Sequence, residues 1–337
     1  MALTHKMILW AILGLATLGV SPAWAATIDG ERDADPIVVV KEAGKASDQI
    51  PVEAIFAGFP KAPSLMPDLR ETPLQVEEAI DTRPKPQAPT TIAGAACLIN
   101  GDTNEIYFEK NGTQWMHPAS TTKVVTLLTA LRLHGSRLDE LASISPYAAS
   151  MEPSILGIHP GDQITKQANL EGMMVVSGND AAVVAAENTS GSVAAFAQEM
   201  NKTALMTGAT SSNFLNPNGL TQMGHHSTAR DLAKIAAYGM RIPMFRDFVG
   251  DDYYEVPWQN RPHETERTTN LFIRNKYPGA NGLKTGYTEA AGDCLIASAT
   301  RDGHTVIVVL LNDDDRWEDA PKFLDYGFAM ARNSDGN

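Results

Sequence analysis

Cysteine is almost missing from this chain. Only Cys97 and Cys294 occur in 337 residues, too few for the disulfide framework of a small secreted scaffold, so the fold must rest on an apolar core. Basic runs are missing as well. The formal net charge is −13 and no Lys/Arg cluster offers a face for nucleic acid. Metal-ligand spacing is not found either. His117, His225-His226 and the run Asp313-Asp314-Asp315 come nearest, without the partners that a zinc site or a calcium loop requires. We expect no metal and no cofactor. Internal repeats are not evident, and beyond the first 25 residues no apolar stretch is long enough to span a bilayer. What the chain does have is 43% hydrophobic residues, over a length that suits one large domain or two small ones.

The N-terminus has the plan of a signal peptide. His5 and Lys6 make a weakly basic start, Met7 to Val20 is apolar, and Ala23-Trp24-Ala25 is a small-x-small cleavage site. The apolar run covers 14 residues, short for a spanning helix of about 20. The expectation is export, to a periplasm or beyond the cell, with 1–25 removed. Residues 26–90 read as a spacer. Nine prolines between Pro36 and Pro89, among scattered charges, block helix interiors and central strands, so extended, mobile chain is expected there. Ile37-Val38-Val39-Val40 is its one apolar cluster, suited to docking on the domain or a partner.

Periodic patterning starts near Thr91. Ile92–Ile99 and Glu105–Phe108 read as strands joined through Asn100-Gly101. Pro118 precedes a helix with Val124, Val125, Leu127, Leu128 and Leu131 on its apolar faces. Further helices are expected over Asp180–Glu187, after Ser190-Gly191-Ser192, and after Ser227-Thr228. A short strand covers Gly282–Gly286. Cys294–Thr300 and Thr305–Leu311 flank Asp302-Gly303, a strong hairpin turn. A last helix runs from about Ala320 to Arg332. Strands, a helical block, strands and a helix suggest an antiparallel sheet with segregated helices, an α+β fold.

Three short motifs lie in order along this frame: Ser120-Thr121-Thr122-Lys123 at a helix start, Ser177-Gly178-Asn179 between helices, and Lys284-Thr285-Gly286 in a late strand. Singly the first two are weak, and Ser211-Ser212-Asn213 is a second Ser-x-Asn in the same chain. Their joint placement is the specific signal. A serine at a helix start has backbone N–H groups and the positive dipole end beside it. Lys123, three residues on, shares its face. Serine is a weak nucleophile without an adjacent base, and a lysine can be that base only when neutral. Burial and a second cation, which Lys284 could supply, would both lower its pKa. Ser177 can relay a proton, Asn179 can bind a carbonyl, Lys284 and Thr285 can hold a carboxylate, and Gly286 lets a substrate backbone approach the strand.

Together these motifs resemble those of the serine penicillin-binding proteins and serine β-lactamases. The closer resemblance is to the D-alanyl-D-alanine carboxypeptidase family, the S11 serine peptidases, over about Thr91 to Met330. It extends through Phe108-Glu109-Lys110, Pro118–Lys123, Ser177–Ala182, Asn216-Pro217-Asn218-Gly219-Leu220, Ser227–Leu232, Gly282–Thr288, Ala291-Gly292 and Tyr326-Gly327-Phe328. The resemblance implies a β-lactamase/transpeptidase-like fold, a five-stranded antiparallel sheet flanked by helices with a helical subdomain, over a catalytic domain at 91–337. It implies peptidoglycan stem peptides as substrates and β-lactams as covalent inhibitors. By position, Ser120 would be acylated by the penultimate D-alanine, Lys123 would take its proton, and Ser177 would protonate the departing D-alanine. Asn179 would hold the peptide, and the N–H groups of Ser120 and Tyr287 would form the oxyanion hole. Arg316, standing before the last helix, would face the substrate carboxylate, its alternative being a surface salt bridge within Asp313-Asp314-Asp315.

The resemblance also places Cys97 and Cys294 on strands two positions apart, about 9–10 Å, beyond disulfide reach. Two free thiols follow. The best-known relatives carry a small all-β domain and a C-terminal amphipathic membrane helix. This chain stops at Asn337, soon after the last helix, so no C-terminal membrane anchor is expected. Three rival readings stay open: a DD-endopeptidase on the same site, a β-lactamase, and a non-catalytic wall-binding protein. Against the second, no Glu-x-x-Leu-Asn lies between Ser177 and Lys284 to activate a deacylating water.

Overall fold

The computed structural model describes residues 86–135 and 137–334. The proposed signal peptide, almost all of the spacer and its Ile37–Val40 cluster lie outside the described residues. The described part belongs to one compact unit, Ala79–Asn337.

Its frame is a five-stranded antiparallel sheet. In chain order the strands are β1 (Ala95–Asn100), β2 (Ile106–Lys110), β5 (Ala280–Thr288), β6 (Gly292–Arg301) and β7 (His304–Leu311), arranged β2-β1-β7-β6-β5. A separate hairpin joins β3 (Tyr253–Val256) to β4 (Glu264–Arg267). The near-continuous apolar run of β7 has a simple cause. Ile307, Val309 and Leu311 pack on one face of the sheet and Val306, Val308 and Leu310 on the other, so both faces are covered. Asp302 and Gly303 take φ of 51° and 84°, the pair of positive values that a two-residue turn matched to strand twist demands.

One face is covered by the last helix through Ala320, Phe323, Leu324 and Phe328. The other carries a block of helices: α1 (Lys123–His134), α2 (Pro146–Ala149), α3 (Lys166–Val176), α4 (Asn179–Ser190), α5 (Val193–Met206), α6 (Ala229–Met240) and α7 (Pro243–Gly250). A short turn of helix, α8 (Leu271–Arg274), precedes β5. The start signals act as side-chain caps. Ser192 accepts from Ala195 N–H and Thr228 from Asp231 N–H, each satisfying a donor left free at a helix end.

Several expected boundaries move. β1 begins at Ala95, because Ile92 is 62% exposed and contributes no core face. β5 is nine residues rather than five. The last helix, α9, spans Arg316–Ser334 and starts a turn before Ala320. Pro321 sits inside the helix, while Glu318 and Asp319 occupy the first turn, where carboxylates suit the dipole. Arg316 is therefore the first residue of α9 and not a loop residue ahead of it. Cys97 and Cys294 are free, as expected. β7 lies between their strands, and Cys97 faces Val309 while Cys294 faces Leu311. Burial pushes the two thiols up, to about 12 and about 11, which disfavours their thiolate forms.

Candidate active site

Ser120 lies in a single 3-10 turn, Ala119–Thr122, that runs straight into α1. Pro118 ends the incoming segment, and its carbonyl accepts from Thr121 N–H at 3.2 Å and from Thr121 Oγ1 at 2.5 Å. Ala119, at φ 47°, is held in the left-handed region just before the serine. The turn delivers Lys123 to the first position of α1, three residues on and on the same face. Its Nζ donates to Ser120 Oγ at 2.9 Å, to Asn179 Oδ1 at 2.8 Å and to the Asn218 carbonyl at 2.9 Å. Lys123 has no solvent exposure. Burial holds its pKa well below 10.5, the Lys284 ammonium lowers it further, and only Asp180 pulls the other way. The three acceptors are neutral oxygens, so the amine is hydrogen-bonded without a paired carboxylate.

Ser177 closes α3 in the left-handed conformation, φ 63°, and Gly178 and Asn179 follow at the start of α4. Asn179 is 4% exposed and its amide is engaged at both ends. Oδ1 accepts from Lys123, while Nδ2 donates to the Glu152 carbonyl at 2.9 Å. Behind it the Asp180 carboxylate accepts from the N–H groups of Leu156, Gly157 and Ile158 at 2.8, 2.9 and 3.1 Å, tying the 153–158 segment to the start of α4.

The opposite wall is edge strand β5. A Cβ at Gly286 would lie 2.9 Å from Ser120 N, so only glycine lets the strand pass this close to the serine. Thr285 Oγ1 hydrogen-bonds Thr269 Oγ1 at 3.0 Å. Lys284 is 1% exposed, and Nζ donates to the Thr285 carbonyl at 3.2 Å. Burial first, and Arg316 second, bring its pKa down to about 7.

Seven of the nine residues singled out above, Ser120, Ser177, Asn179, Thr285, Gly286, Tyr287 and Arg316, line one cavity of about 320 Å³. Lys123 and Lys284 stand behind its walls rather than in it. Arg316 stands at the cavity, and its ion pair is not the one considered as an alternative. Its Nη1 is paired with Asp293 Oδ1 at 2.9 Å and donates to the carbonyls of Gly286 at 3.0 Å and Cys294 at 3.3 Å. Its ion pair is with β6 and not with the neighbouring aspartate run. Buried Arg316 Nε has no partner among the described residues.

Sequence reasoning quoted Asn216–Leu220 without a role for it. The Asn218 carbonyl turns out to accept from both Lys123 and Ser120, the latter at 3.4 Å. Gly219, at φ 86°, allows the approach, since a Cβ there would stand 1.8 Å from the Ala119 carbonyl oxygen. Asn216 Oδ1 accepts from Gly219 N–H at 2.8 Å and fixes the turn. The Asn-Pro-Asn-Gly string signals a turn, but nothing local says which amine its carbonyl will meet. His225, considered above as a metal residue, is structural. Its Nδ1 accepts from Leu215 N–H at 3.0 Å, so Nε2 carries the proton toward Thr122 Oγ1 at 3.1 Å, and burial lowers its pKa to about 4.

The family profile described as D-alanyl-D-alanine carboxypeptidase matches residues 82–315. The chain belongs to this family. D-alanyl-D-alanine carboxypeptidase DacF of Bacillus subtilis is 35% identical over 250 residues, 71% of this chain and 62% of that protein. A D-alanyl-D-alanine endopeptidase of Pseudomonas aeruginosa is 28% identical over 71% of this chain and 79% of its own length. The crystal structure of the Streptomyces K15 DD-transpeptidase superposes with a TM-score of 0.67 at 30% identity, covering 72% of this chain and 99% of that one. The α+β fold of these structures and membership of the serine D-alanyl-D-alanine carboxypeptidase family follow, the chain spanning a little under two thirds of the length of the Bacillus relative. Among the described residues, no helix is long and apolar enough to cross a membrane.

Proposed function

We propose that this chain hydrolyses D-alanyl-D-alanine peptides of the cell wall through an acyl-enzyme on Ser120. The observation that carries the reading is the 2.9 Å bond between Ser120 Oγ and a fully buried Lys123 amine whose pKa is depressed. In its neutral form Lys123 takes the hydroxyl proton as Oγ attacks the carbonyl of the penultimate D-alanine. The N–H groups of Ser120 and Tyr287 receive the oxyanion, a contribution of about 3–4 kcal/mol per donor in acyl transfer. Collapse breaks the peptide bond, and Ser177 passes a proton to the departing D-alanine amine. Water then attacks the ester, and Ser120 regains its proton as the shortened peptide leaves. The terminal carboxylate sits at the Thr285 end, where the charges of Lys284 and Arg316 favour an anion. Asn179 positions Lys123 and offers its amide to the peptide. A β-lactam enters the same chemistry, but its leaving amine stays tethered in the acyl group.

We read 1–25 as a signal peptide, 26–90 as a spacer and 91–337 as the catalytic domain of an exported protein. A second activity, cleavage of cross-links, is favoured by the endopeptidase relative. Fluorescent penicillin should label the protein, and Ser120→Ala should abolish labelling without loss of fold; a labelled S120A variant would mean another nucleophile. Digestion of defined pentapeptide and cross-linked muropeptides separates the two activities. Free D-alanine alone is the carboxypeptidase result, and loss of cross-links is the endopeptidase result.

A further inference from the structure

A second hollow of about 370 Å³ adjoins the cavity that holds Ser120. Leu220 lines both spaces, so the two meet at its side chain. Its banks are Tyr147, Met151 and Glu152 on one side and Asn218, Leu220 and Gln222 on the other. Asn218 joins the banks, its Nδ2 reaching Met151 Sδ at 3.9 Å, and its carbonyl is the one that meets Ser120 and Lys123. The hollow therefore opens beside the nucleophile itself.

Its chemistry is specific. Glu152 is the one lining residue with a charge, and it is exposed. Tyr147 is 55% exposed, leaving its ring free to cover an alkyl stem or the face of a cation. The other lining groups are neutral amides, hydroxyls, a thioether and a leucine side chain. A substrate cut at Ser120 extends in two directions. Its leaving side, with the terminal carboxylate, goes toward Thr285 and Arg316, so its acyl side must leave by another way.

We infer that this hollow receives the acyl side of the peptide, and that Glu152 selects substrates whose residue before D-alanyl-D-alanine carries a free side-chain ammonium. The inference rests on the serine DD-peptidase reading above and names its substrate more narrowly. Acylating that ammonium, as a cross-link does, removes the charge that Glu152 attracts. The groove thus favours uncross-linked stems.

The test uses two peptides, Nα-acetyl-L-lysyl-D-alanyl-D-alanine with the ε-amine free and the same peptide ε-acetylated, with release of D-alanine as the readout. The intact protein should prefer the free amine by about three- to fivefold in kcat/KM, the scale of an exposed ion pair. That preference should shrink as salt rises from 0.05 to 0.5 M. Glu152→Gln should bring the ratio close to one, and Glu152→Lys should invert it. Turnover of the acetylated peptide reports folding and the catalytic groups within each variant. A ratio near one in the unaltered protein, a preference indifferent to salt, or a preference kept in E152Q each overturns the inference. Failure of the unaltered protein to cut either peptide or to bind penicillin overturns the parent reading instead.

Discussion

Lys123 and Lys284 are two amines of like sign buried near each other, and Glu171 and Asp251 are two half-buried carboxyl groups close together elsewhere in the molecule. Burial is the leading cause of the shift at all four. Glu171 is raised to about 7, with the Asp251 and Asp247 charges adding to burial and a Tyr254 hydrogen bond opposing it. By direction alone both clusters are displaced toward their neutral forms. Only the amines stand against a nucleophile and an open cavity; neither Glu171 nor Asp251 lines the space that holds Ser120. A displaced pKa marks a place where like charges are crowded and dry. Chemistry further requires a reactive atom within bonding reach and room for a substrate.

The largest effect that would sharpen this contrast comes from the base. Lys123→Met should slow acylation by penicillin by about 10²–10⁴-fold, the range for loss of a positioned general base, measured by stopped-flow labelling. A loss of less than tenfold would take the base role away from the amine pair. Next is the turn that presents the Asn218 carbonyl. Gly219→Ala combines a positive φ with a collision against Ala119, and should lower stability by about 2–4 kcal/mol in denaturant melts. It should slow acylation as well, because Ala119 precedes the nucleophile.

Lys284→Gln should act on the pH profile. Removing this cation raises the Lys123 pKa, so more of the base is protonated at a given pH and the acid limb of acylation moves upward. An unmoved limb would mean that the two amines do not communicate. The smallest effect belongs to the carboxyl cluster. Glu171 is raised in the folded state from 4.5 to about 7, so its contribution to stability is full below about 4.5 and is lost as pH rises through about 7. Glu171→Gln should remove that loss and add about 1 kcal/mol at pH 8 once solvent screening is allowed for, with little change at pH 4.5 and acylation unaltered. A large drop in acylation would erase the distinction between the clusters.

Where the sequence was readable, one physical cause dominated locally. The two-sided apolar run of β7, the Asp302-Gly303 turn and the Ser192 and Thr228 caps are set by residues close together in the chain, and they are where expected. The start of α9 at Arg316 lies a turn ahead of the expected Ala320, because helix ends are less sharply marked than helix bodies. Lys123 sharing a face with Ser120 was legible, since three residues of helix impose it. Arg316 was legible as a cavity residue, but its pairing with Asp293 was not, because that partner is supplied by β6.

Residue type and spacing alone determined which groups could act: a serine three before a lysine at a helix start, a second serine and an amide between two helices, and a glycine that leaves room beside a late strand. Tertiary structure alone decided that Lys123 is dry, that the Asn218 carbonyl and Asn179 amide are what it bonds, and that a second hollow opens beside them. Those facts depend on loops meeting across 56 to 95 residues of sequence, and no local preference encodes a contact over that distance.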